Sequence, residues 1–346
     1  MKNYNPKNAF IKLGKFLNDH INGKKVTGLE IFHDELEKII QVSQQYNGWF
    51  TPKNVKNALI SISVMLEEEE LNAFADIATV KEKKTVAVIM AGNIPAVGFH
   101  DLLCVLVSGN NILIKLSSDD QLIIPFLTKI IIHFQPELND VIRFSDGKLS
   151  RFDAVIATGN NNSAMYFEYY FSKYPHIIRK NRNSVAVLTG NETREQMLAL
   201  GSDIFTYFGL GCRNVSKLFV PKEYDFNYFF EVMYEFKEVA MNKKYFNNYE
   251  YHRALFLLEK ITFLDNNFMI IRESNQFSSP VSVVHYEKYE NIEAVKKLIF
   301  ENSDKIQCVV GNIKLDNIIP FGNSQKPKLN DFADGVNTLE FLKSIG

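Results

Sequence analysis

The stretch Thr85-Val-Ala-Val-Ile-Met-Ala-Gly-Asn-Ile-Pro95 decides the fold class, because a β-branched apolar run ends in a loop of turn residues. Apolar runs of strand length then alternate with helical segments along the following hundred residues. Near-continuous apolar strands between helices indicate a parallel sheet covered on both faces. We therefore predict a doubly wound, Rossmann-type α/β domain that binds its ligand beyond the carboxyl ends of the strands. The predicted strands are 85–90, 111–115, 141–144, 153–157 and 184–188, and the predicted helices are 100–107, 122–133 and 163–170.

Outside this region the pattern changes on both sides. Residues 6–80 carry apolar side chains at helical spacing, with Thr51-Pro52 as an N-cap followed by a first-turn proline. We expect this helical N-terminus to cover the next domain. After residue 190 a second α/β unit is predicted, with strands up to Val220 and at 281–285 and 307–310, and with helices at 194–205, within 225–263 and at 292–300.

The chain length supports a division into domains. At 346 residues the chain exceeds the size at which a single core usually stops growing. We predict a helical N-terminus with a dinucleotide-binding domain at 1–190, a catalytic domain carrying the nucleophile at 191–314, and a C-terminal segment at 315–346. That last segment is expected to return to the cofactor domain or to an interface.

Charge and cysteine content exclude several classes of function. The formal net charge of -1 gives no global attraction to nucleic acid or anionic lipid. Cys104, Cys212 and Cys308 lie far apart and predict neither a disulfide framework nor a zinc site. No run reaches the roughly 18 apolar residues of a spanning helix, and no secretion signal is evident. We expect a cytoplasmic protein without an integral membrane segment.

Cys212 is the candidate nucleophile. It follows Gly209 and Gly211, which allow close backbone approach and positive φ, and Arg213 stands next to it. The thiolate is the reactive form and needs a cation or backbone N–H groups to stabilise it at neutral pH. The alternative is a buried cysteine that acts only as a small hydrophobe.

Three segments could bind a nucleotide. Gly92 and Asn93 follow the first strand, where backbone N–H groups suit a phosphate or a developing negative charge. Lys115 ends the second strand with Ser117 close behind, and the segment Thr158-Gly159-Asn160 follows a later strand without the G-x-G-x-x-G spacing. Two of these residues could also be present without any role in binding: Asn93 could be a turn residue, and Lys115 could be a solvated lysine at the end of a strand.

His252 is a candidate acid or base, although a hydrogen-bonded structural histidine is the alternative. The seven histidines show no H-x-x-x-H spacing, so no metal is expected. A serine nucleophile elbow and a Walker loop are absent from the sequence.

In this order, the segments resemble the aldehyde dehydrogenase superfamily, and most closely its long-chain acyl-CoA reductase branch, which includes the fatty acid reductases of bacterial bioluminescence. The likeness covers about residues 85 to 345. It is carried by Ala91-Gly-Asn-Ile-Pro-Ala-Val-Gly98 with Asp101-Leu-Leu103, Gly109-Asn110 to Lys115, Ala157-Thr-Gly159, Gly211-Cys212 with Phe219-Val220, Phe321-Gly322, and Ala333-Asp-Gly335 with Phe341-Leu342.

The resemblance implies roles for single residues. Cys212 matches the nucleophile, Asn93 the asparagine that completes the oxyanion hole with the Cys212 N–H, and Lys115 the lysine on the adenosine ribose. Two departures stand out. Residues 179–183 replace the segment whose glutamate activates water in aldehyde-oxidising members, and Gln276 replaces the carboxylate that contacts the nicotinamide ribose. Without that base, an acyl group on Cys212 is spared from hydrolysis.

The sequence thus predicts an acyl-CoA reductase that forms an S-acyl enzyme on Cys212 and reduces it to a long-chain fatty aldehyde. NADPH is the expected cofactor, with NADH as alternative, because the resemblance implies it and because Lys115, Ser117 and Ser118 could accept a 2′-phosphate with no matching carboxylate evident to repel it. Family analogy suggests an acyl-activating enzyme as partner and a homo-oligomer. The alternatives are a short-chain CoA-acylating aldehyde dehydrogenase, an acyl-phosphate reductase, and a catalytically silent subunit of an acyl-transfer complex.

Overall fold

The computed structural model describes residues 6–76, 80 and 82–346. The end of the predicted N-terminal helical region at 77–79, and residue 81, lie outside the described residues. The chain divides into two compact units. The first consists of the chain up to Lys180 together with the C-terminal segment Pro327–Gly346, and the second consists of Asn181–Lys326. The sequence had placed these divisions at 190 and 314.

The first unit begins with four helices, which pack as the apolar spacing predicts. Phe10, Leu13 and Leu17 form the fully buried stripe of the first helix. The Thr51 side chain accepts a hydrogen bond from the Asn54 N–H, which confirms the predicted N-cap before Pro52. These helices are α1 (Lys7–Ile21), α2 (Glu30–Tyr46), α3 (Pro52–Met65) and α4 (Glu68–Asp76).

A five-stranded parallel sheet forms the centre of this unit. Its strands are β1 (Thr85–Ile89), β2 (Asn111–Lys115), β3 (Ile142–Phe144), β4 (Ala154–Thr158) and β5 (His176–Arg179). The connecting helices are α5 (Phe99–Val107), α6 (Ile123–Phe134) and α7 (Asn161–Phe171), and the C-terminal helix is α12 (Thr338–Ile345). α1 packs against α6, and α12 packs against α5. The N-terminal helices thus pack against this domain, as predicted.

The strand order of this sheet is β3-β2-β1-β4-β5, with every neighbouring pair parallel. The chain moves outward from β1 to β3 and then returns to β4 on the other side of β1. This reversal creates a switch point between β1 and β4, where doubly wound sheets bind ligands at the carboxyl ends of their strands. The predicted doubly wound architecture is confirmed.

The second unit contains a six-stranded sheet of order β11-β6-β7-β10-β9-β8, in which the β8–β9 pair alone is antiparallel. The strands are β6 (Asn183–Val187), β7 (Val215–Pro221), β8 (Leu264–Asp265), β9 (Ile270–Glu273), β10 (Val283–Tyr289) and β11 (Ile306–Gly311). The helices are α8 (Arg194–Phe205), α9 (Phe226–Met233), α10 (Lys243–Leu258) and α11 (Ile292–Glu301).

One strand was assigned to the wrong sheet. The segment predicted at 184–188 is β6, which pairs with β7 and β11 in the second unit. The edge position expected for it is taken by β5, which the sequence did not predict because its buried positions are only Ile177 and Arg179. Apolar periodicity identifies a strand but does not identify its partner.

Among the residues described, no helix is both long and apolar enough to cross a membrane.

Candidate active site

The backbone before Cys212 adopts an unusual conformation. α8 ends at Phe205, and Tyr207, Phe208 and Gly209 follow with φ of 54°, 58° and 77°. Left-handed backbone is natural for glycine but strained for two bulky aromatic residues, and it persists only where the surroundings hold it in place. The chain thereby turns sharply between α8 and β7, and Cys212 lies in the tight turn that leads into β7.

Asn214 is the residue that holds this turn. Its side chain is 2% exposed, and its amide oxygen accepts a hydrogen bond from the Gly211 N–H at 2.8 Å. Its amide nitrogen donates to the carbonyl oxygens of Thr206 at 2.7 Å and Asp203 at 3.0 Å, with a weaker contact to Ile204 at 3.3 Å. Asn214 therefore joins the end of α8 to the residue before the nucleophile.

Further hydrogen bonds fix the turn from outside. The Ser184 hydroxyl on β6 donates to the Cys212 carbonyl oxygen at 2.9 Å, and the Arg213 guanidinium donates to the Ser324 carbonyl oxygen. Asp203, buried on α8, accepts from the N–H groups of Gly322 at 2.6 Å and Ser324 at 3.0 Å. Burial raises the pKa of Asp203, although these N–H groups oppose the shift. The Cys212 turn and the Gly322 loop thus share one support.

Cys212 is exposed, whereas Cys104 and Cys308 are buried. Burial and the nearby Asp101 carboxylate raise the pKa of the Cys104 thiol well above its usual range, so this thiol is unreactive. Cys212 is therefore the cysteine that a dissolved reagent can reach.

The predicted cofactor residues all lie at one edge of the first sheet. Gly92 lies in the loop after β1. Lys115 is the last residue of β2, and Ser117 lies in the loop that follows. Thr158 is the last residue of β4, and Gly159 and Asn160 come directly after it. These three strands are neighbours, and their carboxyl ends border the switch point. The structure therefore brings together residues that the sequence singled out separately, and their role in binding remains a prediction.

Gly92 is needed for close packing at this edge. A Cβ atom on Gly92 would lie 2.5 Å from the Ser117 Oγ and 2.9 Å from the Asp119 Cβ. Contacts this short do not occur in real structures, so any side chain at position 92 would push the loop after β2 away. The lack of a side chain keeps the loops after β1 and β2 in contact.

The loop after β2 carries both positive and negative groups. The Lys115 ammonium donates to the Gly147 carbonyl oxygen at 3.1 Å, and the Ser117 hydroxyl accepts from the Asp119 N–H. Asp120 is buried and accepts from the Ala96 N–H at 2.8 Å, and burial raises its pKa to about 6. Asp119, however, is exposed beside Ser117. The statement that no carboxylate accompanies Lys115 and Ser117 is therefore wrong.

Gly159 and Asn160 form the start of α7. The Asn160 side chain accepts from the Ser163 N–H at 2.8 Å and caps the helix. A Cβ atom on Gly159 would lie 2.8 Å from the Ser163 Cβ. The residues at this edge fit a phosphate-containing cofactor, because the N-terminus of α7 and the side-chain-free Gly159 follow β4 at the same carboxyl edge at which Lys115 ends β2.

Asn93 does not lie at a helix N-terminus. It is exposed in the loop after β1, and α5 begins only at Phe99 with Gly98 as N-cap. The intervening turns include Ala96 in left-handed conformation with φ of 56°. The Ala96 N–H donates a hydrogen bond to the Asp120 carboxylate, and this bond holds the loop in place.

Arg179 has a structural partner that the sequence did not reveal. Its guanidinium, 4% exposed at the end of β5, forms an ion pair with Asp101 at 2.5 Å and donates to the Thr338 hydroxyl at 3.0 Å. Asp101 had been part of the family likeness without an assigned role. Arg179 thus ties α5, β5 and α12 together.

His252 lies on α10 in the second unit. Its ring lies 5.9 Å from the Phe256 ring and is tilted by 34° to it, and its Nδ1 is buried with no hydrogen-bond partner among the described residues. Burial lowers its pKa, and the nearby Arg272 acts in the same direction. His252 is therefore neutral at pH 7, and could accept a proton but is a poor donor of one.

The segment 276–281, where Gln276 replaces the expected carboxylate, is held by two side chains. The Ser216 hydroxyl on β7 donates to the Phe277 carbonyl oxygen at 2.8 Å. His285 on β10 lies 3.2 Å from the Gln276 carbonyl oxygen and accepts from Arg272 on its other nitrogen, which fixes the neutral Nδ1–H form. Within the described part of the chain, no group of three or more acidic, histidine or cysteine side chains could hold a metal ion.

Sequence reasoning missed Asn214, Ser184 and Asp203, which position the Cys212 turn. The nearest signal was the polar Asn214 placed directly before the apolar run of β7, a position where a buried amide often satisfies a turn. Its partners lie in α8, and no spacing rule connects the two.

Comparison with known proteins identifies the family of the chain. The family model described as acyl-CoA reductase (LuxC) matches residues 44–238, more than half of the chain. A search of curated proteins finds no match.

Solved aldehyde dehydrogenases share the fold. Aldehyde dehydrogenase 21 from Physcomitrella patens has 12% identity and a TM-score of 0.64, over 97% of this chain and 84% of that one. KauB from Pseudomonas aeruginosa has 13% identity and a TM-score of 0.62, over 91% and 73%. AldA indole-3-acetaldehyde dehydrogenase from P. syringae, solved with NAD+ and IAA, has 12% identity and a TM-score of 0.61, over 90% and 73%. The chain therefore belongs to the acyl-CoA reductase (LuxC) family and is an NAD(P)-dependent oxidoreductase with an aldehyde dehydrogenase-like fold.

Proposed function

We propose that this chain reduces a long-chain acyl-CoA to the fatty aldehyde through an S-acyl enzyme on Cys212. The Cys212 thiolate attacks the thioester carbonyl carbon. A new bond from that carbon to Sγ forms, the bond to the CoA sulfur breaks, and CoA leaves as a thiolate that takes up a proton.

One observation carries this proposal. Cys212 is the exposed cysteine of the chain, and it lies in a turn whose backbone is fixed by Asn214, Ser184 and Arg213. A nucleophile must be held close to a productive geometry, since a misplacement of about 1 Å can cost roughly 100-fold in rate. A cysteine kept only for packing would be buried and would need no such support.

The Arg179–Asp101 ion pair supports the expectation that the acyl group is spared from hydrolysis, because Arg179 lies in the segment 179–183 that replaces the base segment of aldehyde-oxidising members. Arginine stays protonated and cannot remove a proton from water. With Arg179 in place of a base, the S-acyl group survives long enough to be reduced. This favours reduction of an acyl donor over oxidation of an aldehyde to the free acid.

The residues at the carboxyl edge of the first sheet would hold the cofactor. When bound, NADPH supplies the hydride that reduces the S-acyl group, and the resulting thiohemiacetal on Cys212 collapses to the aldehyde. Lys115 and Ser117 would bind a 2′-phosphate, and the N-terminus of α7 with Gly159 would bind phosphate oxygens. Asp119 favours NADH as the alternative, because an exposed carboxylate there would repel the 2′-phosphate and accept from a ribose hydroxyl instead.

One further role rests on the resemblance and another on the burial of a histidine. The Asn93 amide would donate to the oxyanion that develops on the substrate carbonyl, a kind of interaction whose loss costs about 100-fold or more. His252, neutral through burial, would act as proton acceptor. We also propose that the first unit binds the cofactor and that the second unit carries the nucleophile. An acyl-activating enzyme is the proposed partner.

The test is a comparison of three proteins with a long-chain acyl-CoA and NADPH. We expect the wild-type protein and Cys308→Ala, which changes a buried cysteine, to produce aldehyde, and Cys212→Ala to produce none. Reduction by Cys212→Ala at the wild-type rate would refute the mechanism. Reduction of an acyl phosphate or of short-chain acyl-CoA alone would support those alternatives, and no reaction with any acyl donor would support the silent subunit.

A further inference from the structure

A buried carboxylate joins two of the loops at the carboxyl edge of the first sheet. The Asp120 side chain, 5% exposed, belongs to the connection between β2 and α6. One of its oxygens accepts a hydrogen bond from the Ala96 N–H in the loop after β1 at 2.8 Å, and the other accepts a longer one from the Ile123 N–H at 3.4 Å. Asp120 therefore links the loop that carries Gly92 and Asn93 to the loop after β2.

The loop after β1 needs such a link. Ala96 has a left-handed backbone, which is strained for a residue with a side chain and persists where the surroundings hold it. A second contact comes from Asn47 at the end of α2, whose buried amide nitrogen lies 3.5 Å from the Gly92 carbonyl oxygen and 3.4 Å from the Asp119 carbonyl oxygen. The bond from Ala96 to Asp120 is shorter and its acceptor is charged, so it is the stronger restraint.

Among the residues that the structure describes, no cation pairs with Asp120. Burial disfavours its charge, and the N–H groups of Ala96 and Ile123 favour it. Burial is the larger effect and raises the pKa of Asp120 to about 6, against an ordinary value of 3.8. The charged groups of the neighbouring loops, α5 and α6 are bound elsewhere or exposed: Lys115 to Gly147, His100 to Leu329, Asp101 to Arg179 and Lys129 to Glu35, with Asp119 and His133 exposed.

The charged form of Asp120 does not serve the stability of the fold. The unfolded chain loses this proton near pH 3.8, whereas the folded chain keeps it up to about pH 6. The stability that this group contributes therefore rises as the pH falls from 6 towards 4, and the ionised carboxylate is a cost at pH 7. A buried charge of this kind, at the edge where a doubly wound sheet binds its ligand, is typical of a functional position.

We propose that Asp120 is a positioning residue for the nicotinamide cofactor, whose ionised carboxylate holds the loop with Gly92 and Asn93 in the conformation that binds the nucleotide. The inference rests on the proposed function, in which this edge of the sheet holds the cofactor. Below about pH 6 the carboxylate takes up a proton, and the Ala96 N–H is left with a neutral acceptor and a bond about half as strong. The loop then leaves its strained conformation more readily, and the cofactor is bound less tightly.

The test compares binding of NADP+ and NAD+ by the wild-type protein, Asp120→Asn and Asp140→Asn between pH 5 and pH 8, measured by titration calorimetry. These oxidised nucleotides are used because they withstand acid. Asp140 is an exposed aspartate of the same unit, so its variant is the control and should follow the wild-type protein at every pH. We expect Asp120→Asn to bind about tenfold more weakly than the wild-type protein at pH 8, the usual effect of exchanging a charged acceptor for a neutral one.

The dependence on pH distinguishes positioning from simple support of the fold. Below pH 6 the affinities of the wild-type protein and Asp120→Asn should converge, because both then carry an uncharged side chain at position 120. The ratio of the two affinities also removes any titration of the nucleotide itself. The Tm of Asp120→Asn at pH 8 should not fall, since the variant removes a buried charge.

Equal affinity of the wild-type protein and Asp120→Asn at pH 8 would overturn the proposal for Asp120 alone and leave the cofactor site in place. A loss of affinity that is the same at every pH and comes with a lower Tm would also overturn it, because the side chain would then support the fold and not the nucleotide. If the wild-type protein binds neither nucleotide, the assignment of the cofactor to this edge fails, and the role of Asp120 fails with it.

Discussion

Replacement of Asn214 by alanine tests how the nucleophile turn is held. The amide oxygen of Asn214 accepts one hydrogen bond from Gly211. The amide nitrogen has two hydrogens for the three carbonyl oxygens within reach, so two effective bonds are counted, to Thr206 and Asp203. Three buried bonds at about 1 kcal/mol each, plus the cost of leaving their partners unsatisfied, give a destabilisation of about 3–5 kcal/mol.

The assay is guanidinium unfolding combined with the rate of Cys212 alkylation by iodoacetamide under native conditions. Asn248→Ala is the matched control, because Asn248 makes one exposed hydrogen bond to the Lys244 carbonyl oxygen and its loss should cost under about 0.5 kcal/mol. We expect Asn214→Ala to lose several times more stability and to alter the alkylation rate. A loss no larger than that of the control would show that the turn is held by other contacts.

Two further outcomes follow from buried titratable side chains. Arg179→Met should destabilise the protein by about 3–5 kcal/mol because it leaves the Asp101 carboxylate buried without its partner, and the double variant with Asp101→Asn should recover part of that loss in a double-mutant cycle. Burial lowers the pKa of His285 to about 4, against an ordinary value of 6.5. The unfolded chain binds the proton more tightly, so stability should fall as pH drops from 6.5 towards 4, and His285→Gln should flatten that dependence in denaturant titrations at several pH values.

The fold class was predictable because its signals are local. The strand Asn111–Lys115 and the helix Arg194–Phe205 have the bounds that were predicted, since each is a compact apolar or helical run with clear ends. The assignment of Asn183–Val187 to the first sheet was wrong, since strand order depends on packing between segments distant in sequence. The short strand His176–Arg179 gave too little apolar signal to be seen.

The candidate site divides in the same way. Cys212 could be singled out because glycines and a strand-like run stand beside it in the sequence. The side chains that hold its turn could not, because Asn214 is bound to the end of α8 and Ser184 comes from β6. Asp101 and Arg179 are 78 residues apart, and only the folded chain pairs them. Hydrogen bonds and ion pairs between residues distant in sequence cannot be recognised from the spacing of residues along the chain.

The most direct test of the central claim is the intact mass of the purified protein after mixing with a long-chain acyl-CoA. The account predicts a mass increase of one acyl group, mapped to Cys212, which is absent from Cys212→Ala and is discharged as aldehyde when NADPH is added. Faster discharge by NADH than by NADPH would assign the cofactor preference to Asp119 rather than to Lys115 and Ser117. A folded protein that gains no mass with any acyl-CoA would contradict the account.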